Sequence, residues 1–379
     1  MWNNPRLRGP MAQALLLLFL GLLISDLAYN TVQNLASRHI VSGWEFLWRK
    51  AGFEISFSLI PYSGEQNYAR ALLVGLLNTL SVSICGIVLA TVLGLLIGVM
   101  RLSRNWLAAR MAALYIEVMR NVPLLLQLFI WYKLVLKPLP DVRDAITWGG
   151  MALSNKGLAV PAPEFGQGAW ALPAGLAIAL AITLILRQWS AARQVATGAH
   201  FPLLPVAAGL VIVLPLLCFA LAGWPVNFNF PVAGNFGFRG GATLVPEFMA
   251  LVLALSIYTA AFIAEAVRAG IEAVARGQSE AAVALGFQPS LAMRLIVLPQ
   301  AMRVIIPPLT NQYLNLTKNS SLAVAIGYPD LVSTGGTIIG QTGQAIEVVL
   351  VWMGVYLFLS LLTSAFMNWF NTRNRLVER

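Results

Sequence analysis

Polar residues are scarce in this chain, and several stand inside long apolar runs. Asn78, Thr79, Asn121, Gln127, Glu265, Asn311, Gln312, Asn315, Lys318 and Asn319 are of this kind. A polar group in apolar surroundings is costly unless it faces a cavity, water or another polar group. Asn311, Asn315 and Lys318 are spaced i, i+4, i+7 and share one helical face. With Arg120, they offer donors to a carboxylate, and Glu265 offers an acceptor to an ammonium. The set suits a small molecule that carries both charges. Two plainer roles are open. The Asn311–Asn315 stripe equally serves as glue between helices, and Glu265 and Lys318 equally serve as an ion pair or as charges snorkelling at a span end.

Other chemistries find no residues. The two histidines, His39 and His200, have no metal-ligand spacing around them. Cys85 and Cys218 lie in apolar runs and read as small buried hydrophobes, with no disulfide or metal framework. No nucleophile–base pair stands out. There is no G-x-x-x-x-G-K-[S/T] loop, so the chain does not itself hydrolyse ATP by this reading and carries no cofactor of its own.

The elements that position these residues follow from composition. Of 379 residues, 58% are apolar and 11% charged, and mean hydropathy is +0.75. Soluble chains are about 25% charged. Such a chain cannot cover a water-facing surface. A soluble or secreted enzyme, a disulfide scaffold and a disordered chain are excluded. The net charge of +10 points to loop charges that set membrane orientation, and nucleic acid is not an expected partner. We expect an all-α integral membrane protein with about eight transmembrane helices. They fall near 11–29, 70–100, 110–136, 168–187, 202–223, 244–267, 302–325 and 346–370. A β-barrel is excluded because the runs are continuous. The first run follows Arg6 and Arg8 but lacks a cleavage site at Ser25–Ala28, so it is expected to stay as a helix. Pro307–Pro308 predicts a kink in the seventh span.

Eight spans place both termini on one side. Arg101, Arg104, Arg110, Arg187, Arg193, Arg268, Arg276, Arg294, Arg303 and Arg373 then share short loops on that side. The long opposite loops are poorer in cations. The positive-inside rule makes both termini cytoplasmic. Three outer segments, near 30–69, 137–167 and 224–243, are rich in Gly, Pro, Asn and aromatic residues. Trp44, Phe46, Trp48 and Trp148 there suit an interfacial belt.

The longest inner loop, 268–301, reads as two short helices with a sharp turn. Helix formers run to Leu285, Gly286 is a stop, and Pro289 suits a first helical turn. Ala281, Ala282 and Ala284 give the first helix a small face that a second protein surface can approach. Glu280-Ala281-Ala282, then Gly286, then Ile296, Leu298 and Pro299 match the EAA loop of ABC-importer permeases. The flanks Tyr258–Glu265 with Arg268–Ile271, and Lys318–Leu322, resemble the polar amino-acid permeases of the histidine/glutamine type. Glu117–Leu125 is similar to that family's Arg-Gly-Thr-Pro stretch, with Asn121-Val122 departing from Gly-Thr. That departure, the extra first span and the extra hairpin at about 165–223 make the chain most like the long Q-type subunit of general L-amino-acid importers.

This resemblance implies the following. The chain is a bacterial inner-membrane permease with five core helices of the ABC type I importer kind. Residues 1–69 hold an N-terminal span and an outer segment, 70–136 the first two core helices, 137–243 an insert with two extra spans, and 244–379 the last three core helices. Glu280, Ala281, Ala282, Gly286, Ile296, Leu298 and Pro299 couple it to a cytoplasmic ATPase subunit, which hydrolyses the ATP. Further partners are a second permease subunit, in a heterodimer, a periplasmic amino-acid-binding protein and membrane lipid. The rival class is an ion-coupled secondary amino-acid transporter, which needs acidic groups and broken helices near the midplane. There the EAA loop has no role, and Glu265 is the sole candidate. A membrane enzyme has no catalytic constellation to build on.

Overall fold

The computed structural model describes residues 5–37, 43–199, 201–234 and 237–373. His39 and His200 lie outside them. The helices are α1 (Pro5–Ser37), α2 (Tyr68–Arg101), α3 (Trp106–Asn121), α4 (Leu124–Phe129), α5 (Ala171–Thr197), α6 (Leu203–Leu221), α7 (Pro246–Glu272), α8 (Arg276–Ala284), α9 (Pro289–Ala292), α10 (Leu298–Asn319), α11 (Leu331–Thr342) and α12 (Ala345–Arg373). Among the described residues, seven helical segments are long and apolar enough to cross a membrane. The bent pair α3–α4, with its π-helical extension to Leu136, makes an eighth if it is one span. The chain forms two units, Met1–Leu134 with Glu247–Arg379, and Val135–Pro246.

In the first unit, α2 and α7 meet at backbone distance. Gly86, Ala90, Gly94 and Gly98 recur every fourth residue on one buried face of α2. A Cβ on Gly94 would stand 2.6 Å from the Ile263 side chain, and one on Gly98 2.9 Å from the Ala264 carbonyl oxygen. Small residues at such a seam let packing replace the missing hydrophobic drive between helices in lipid. Overfilling a tight core costs typically about 1–3 kcal/mol. Gly94→Leu is therefore expected to lower the thermal unfolding temperature of the purified chain measurably. Wild-type stability in that variant would contradict the seam.

The segment before α2 forms an ordered cap. A 3-10 turn at Trp44–Trp48 buries Phe46. It joins Ala51, Tyr68, Leu72, Leu331, Ile338 and Val348 in one apolar cluster. The Gly43 N–H donates to Glu347 Oε1 at 2.6 Å, and the Tyr68 hydroxyl to Gln341 Oε1 at 3.0 Å. The expected aromatic belt is thus corrected at Phe46, which is core; Trp44 and Trp48 are exposed. Cys85 and Cys218 are free, but Cys85 is exposed and Cys218 half-buried. In a membrane helix an apolar residue needs no protein neighbour, so hydropathy alone did not tell core from lipid-facing positions. Pro307 and Pro308 lie within α10, which continues through them.

The second unit holds the hairpin α5–α6 and eight short strands. Strands β1 (Ile146–Trp148), β2 (Met151–Ser154), β3 (Gly157–Val160) and β8 (Ala242–Leu244) form an antiparallel sheet in the order β1-β2-β3-β8. Strands β4 (Ala162–Phe165) and β5 (Val226–Asn229) pair, as do β6 (Val232–Ala233) and β7 (Phe238–Arg239). Gly149 and Gly150, both with positive φ, join Trp148 to Met151 in the tight turn a hairpin favours. These strands were not read from the sequence. They are two to four residues long, too short for alternation to show. The residues 137–243 set apart in the sequence fall within this unit.

Candidate functional site

Pro123 shapes the site. It disfavours helix at Val122, so α3 ends at Asn121 and α4 leaves at 103°. The break strands carbonyls at the end of α3. Gln127, 3% exposed, satisfies two of them: its Nε2 donates to Met119 O at 3.0 Å and to Val122 O at 3.1 Å. Arg120 and Asn121 are thereby presented at a helix end. There they line a cavity of about 440 Å³ with Arg101, Ala113, Ile116, Glu117, Phe262 and Glu265. The Arg120 guanidinium carbon lies 5.3 Å from the centre of the Phe262 ring, a cation–π distance. The Tyr115 hydroxyl donates to Ile257 O at 2.6 Å and ties α3 to α7. The Asn121 amide turns back to the Glu117 carbonyl at 2.8 Å.

From α7, Glu265 lines the cavity, and Arg268 and Glu272 follow it along the helix. Arg268 grips Glu265 through Nε at 3.1 Å and Nη2 at 2.6 Å, and its Nη1 pairs with Glu272. Arg101 and Arg120 also act electrostatically on Glu265. Glu265 is thus ion-paired, one of the roles left open for it, with Arg268 as partner. The cavity thus gathers two cations, Arg101 and Arg120, and two carboxylates, Glu117 and Glu265.

The other sequence candidates lie elsewhere. Asn78 and Thr79 are fully buried at a junction of α2 with the chain before α11. Asn78 Nδ2 donates to Phe57 O and Pro329 O, both at 2.8 Å. Thr79 Oγ1 accepts the Leu331 N–H at 3.1 Å. Both side chains, like Gln127, serve helix junctions. Asn311, Asn315 and Lys318 do share one face of α10, and that face is exposed; Gln312 and Asn319 are half-buried.

The predicted two-helix segment is present as α8 and α9. Gly286 has φ 79°. Its N–H bonds Val283 O at 2.9 Å, and the Phe287 N–H bonds Ala282 O at 3.0 Å. This pair of bonds is a Schellman stop. Pro289 opens α9. Ala282 is buried, whereas Glu280, Ala281 and Gly286 are exposed. Val283 and Leu285 stand 63% and 76% exposed. Ile296 and Pro299 are half-buried, and Leu298 is exposed. A second cavity, of about 770 Å³, is lined by Ile271, Glu272, Val274, Arg276, Ser279, Glu280, Met293 and Val297.

Arg101, Glu117 and Phe262 line the first cavity but were not among the sequence candidates. Arg101 ends a charge-free run and so counted only as a loop cation. Glu117 counted only as the first residue of the Glu117–Leu125 stretch. Phe262 carried no signal, since an aromatic residue in an apolar run is unremarkable.

Known proteins extend this geometry. A family model described as binding-protein-dependent transport system inner membrane component matches residues 201–376. The general L-amino acid transport system permease protein AapQ of Rhizobium johnstonii is 53% identical over 377 residues, spanning 99% of this chain and 94% of that protein. The putative amino-acid ABC transporter permease protein YhdX of Escherichia coli is 48% identical, spanning 99% and 96%. The glutamate/glutamine/aspartate/asparagine transport system permease protein BztB of Rhodobacter capsulatus is 42% identical, spanning 96% and 92%. Similarity of this depth runs through the second unit as well as the first. The chain therefore belongs to the inner membrane components of binding-protein-dependent transport systems, as a multi-pass ABC permease of the long kind these relatives represent.

Proposed function

We propose that this chain forms the translocation pathway of an ATP-driven amino-acid importer. The cavity between α3 and α7 carries the reading. Arg101 and Arg120 offer donors to a carboxylate, and Glu117 and Glu265 offer acceptors to an ammonium. Its volume of about 440 Å³ lies in the range of small-ligand sites. The names of the three relatives support amino acids as the substrate class.

The energy source is a partner's. The segment 268–301 faces the cytoplasm under the positive-inside rule, as do both termini. Its exposed Val283, Leu285, Glu280 and Ala281 form the surface that docks a cytoplasmic ATPase, with Ala282, Gly286, Ile296, Leu298 and Pro299 holding its shape. ATP binding closes the ATPase pair, and α8 passes the motion to α7 and α10, shifting the population between inward- and outward-open states. The exposed polar face of α10, with Asn311, Asn315 and Lys318, is unsuited to lipid. It faces a second permease subunit, a heterodimer partner, across the pathway. A periplasmic binding protein delivers the substrate.

Family membership favours this reading over an ion-coupled transporter. Purification of the full chain from its native membrane in mild detergent tests the assembly. An ATPase and a second permease are expected to co-purify. A lone chain that drives uptake on an ion gradient would overturn the proposal.

A further inference from the structure

Two cavities of the first unit are joined by a single side chain. Glu265 lines the cavity between α3 and α7. Glu272 lines the cavity behind α8, beside Arg276, Ser279 and Glu280. Arg268 holds both carboxylates at once, Glu265 through Nε and Nη2 and Glu272 through Nη1. The spacing i, i+3, i+7 keeps the three on one face of α7, and the ladder spans about 10 Å along the helix axis. The Glu265 pair is sheltered, with 27% exposure at Arg268 and 32% at Glu265, whereas Glu272 stands 53% exposed. The Arg268–Glu265 pair is thus less screened than an open surface pair.

We infer that Arg268 is a positioning residue that relays occupancy of the substrate cavity to the coupling segment. This rests on the amino-acid reading above. A guanidinium has a fixed fork of donors that two carboxylates must share. When an ammonium settles on Glu265, part of that carboxylate's charge is answered and its hold on Arg268 weakens. Arg268 then binds Glu272 more fully. Glu272 shares the second cavity with Arg276, the first residue of α8. An empty cavity thus leaves Arg268 shared between Glu265 and Glu272, and a filled one hands it more fully to Glu272 at the base of α8. These are two discrete arrangements that both sites bias, the requirement for energetic coupling. Coupling is reciprocal, so ATPase docking on α8 changes how tightly the cavity holds its ligand.

The test uses the whole importer, with ATPase, second permease and binding protein, in proteoliposomes. L-glutamate and L-glutamine serve as probes, and the readout is the ratio of amino-acid-stimulated to basal ATP hydrolysis. Arg268→Gln is expected to lower that ratio about fivefold or more, the span of typical allosteric couplings. Glu272→Gln is expected to do the same. The double variant is expected to be no worse than either single one, as for two members of one relay. Arg268→Lys, which keeps the charge without the fork, is expected to fall between. A wild-type ratio in Arg268→Gln, or losses that multiply in the double variant, would overturn the relay. If Arg268→Gln assembles poorly, the ratio is read on the complexes that form, and a wild-type ratio there leaves only a structural role and sinks the inference. A wild-type importer unmoved by either amino acid instead removes the substrate reading beneath it.

Discussion

Gly286→Val is expected to abolish most ATP-driven uptake while the chain still inserts and folds in the membrane. The cause lies in backbone conformation alone. Gly286 has φ 79°, and a Cβ there would meet no atom within 4 Å. The left-handed region costs an ordinary L-residue roughly 1–2 kcal/mol, and a β-branched one is a genuine outlier there. Relieving that strain means opening the two bonds to Val283 and Ala282, which aim α8 relative to α9. A penalty of about 2 kcal/mol on the docking geometry lowers its population by more than tenfold. Gly286→Asn is expected to keep most activity, because Asn tolerates this region. Retention of the ATPase on purification and uptake, measured on one preparation, check this. Normal values for Gly286→Val would show that the turn does not set the docking surface.

Arg120→Gln is expected to reduce uptake at limiting substrate by roughly tenfold to a hundredfold, with assembly preserved. Arg120 stands at the end of α3, with its guanidinium over the Phe262 ring. Its loss removes a charged donor from the cavity, worth about 1.5–3 kcal/mol when the ligand is itself charged. The helix break is held by Gln127 and Pro123 and survives the change. Arg120→Lys restores the charge without the planar fork and is expected to recover part of the activity. Concentration-dependent uptake separates the outcomes. An unchanged half-saturation would place the substrate carboxylate elsewhere.

The two signals that survived from sequence to structure are local ones. Gly286 and Pro289 specify a stop and a start through their own backbone preferences, so the α8–α9 turn was legible residue by residue. The apolar runs were legible because a bilayer demands length and little else. What the sequence hid depends on which face each helix turns inward. Asn78 and Thr79 looked like pathway residues because they are polar at membrane depth, yet they serve the junction with the chain before α11. Arg101 and Glu117 looked like a loop charge and one residue of a family stretch, and they line the cavity. The cap over Gly43–Asn67 and the strands of the second unit depend on long-range partners such as Glu347 and Leu244, which no local pattern announces. Gln127 is buried because of the break at Pro123, which the reading of 110–136 as one continuous span missed.

Uptake of radiolabelled L-amino acids into proteoliposomes holding the full complex tests the central claim most directly, with ATP, the binding protein and ion gradients supplied separately. Accumulation is expected only when ATP is present on the side of the 268–301 segment and loaded binding protein is on the other, with ion gradients neither sufficient nor required. Accumulation driven by a sodium or proton gradient without ATP would contradict the account.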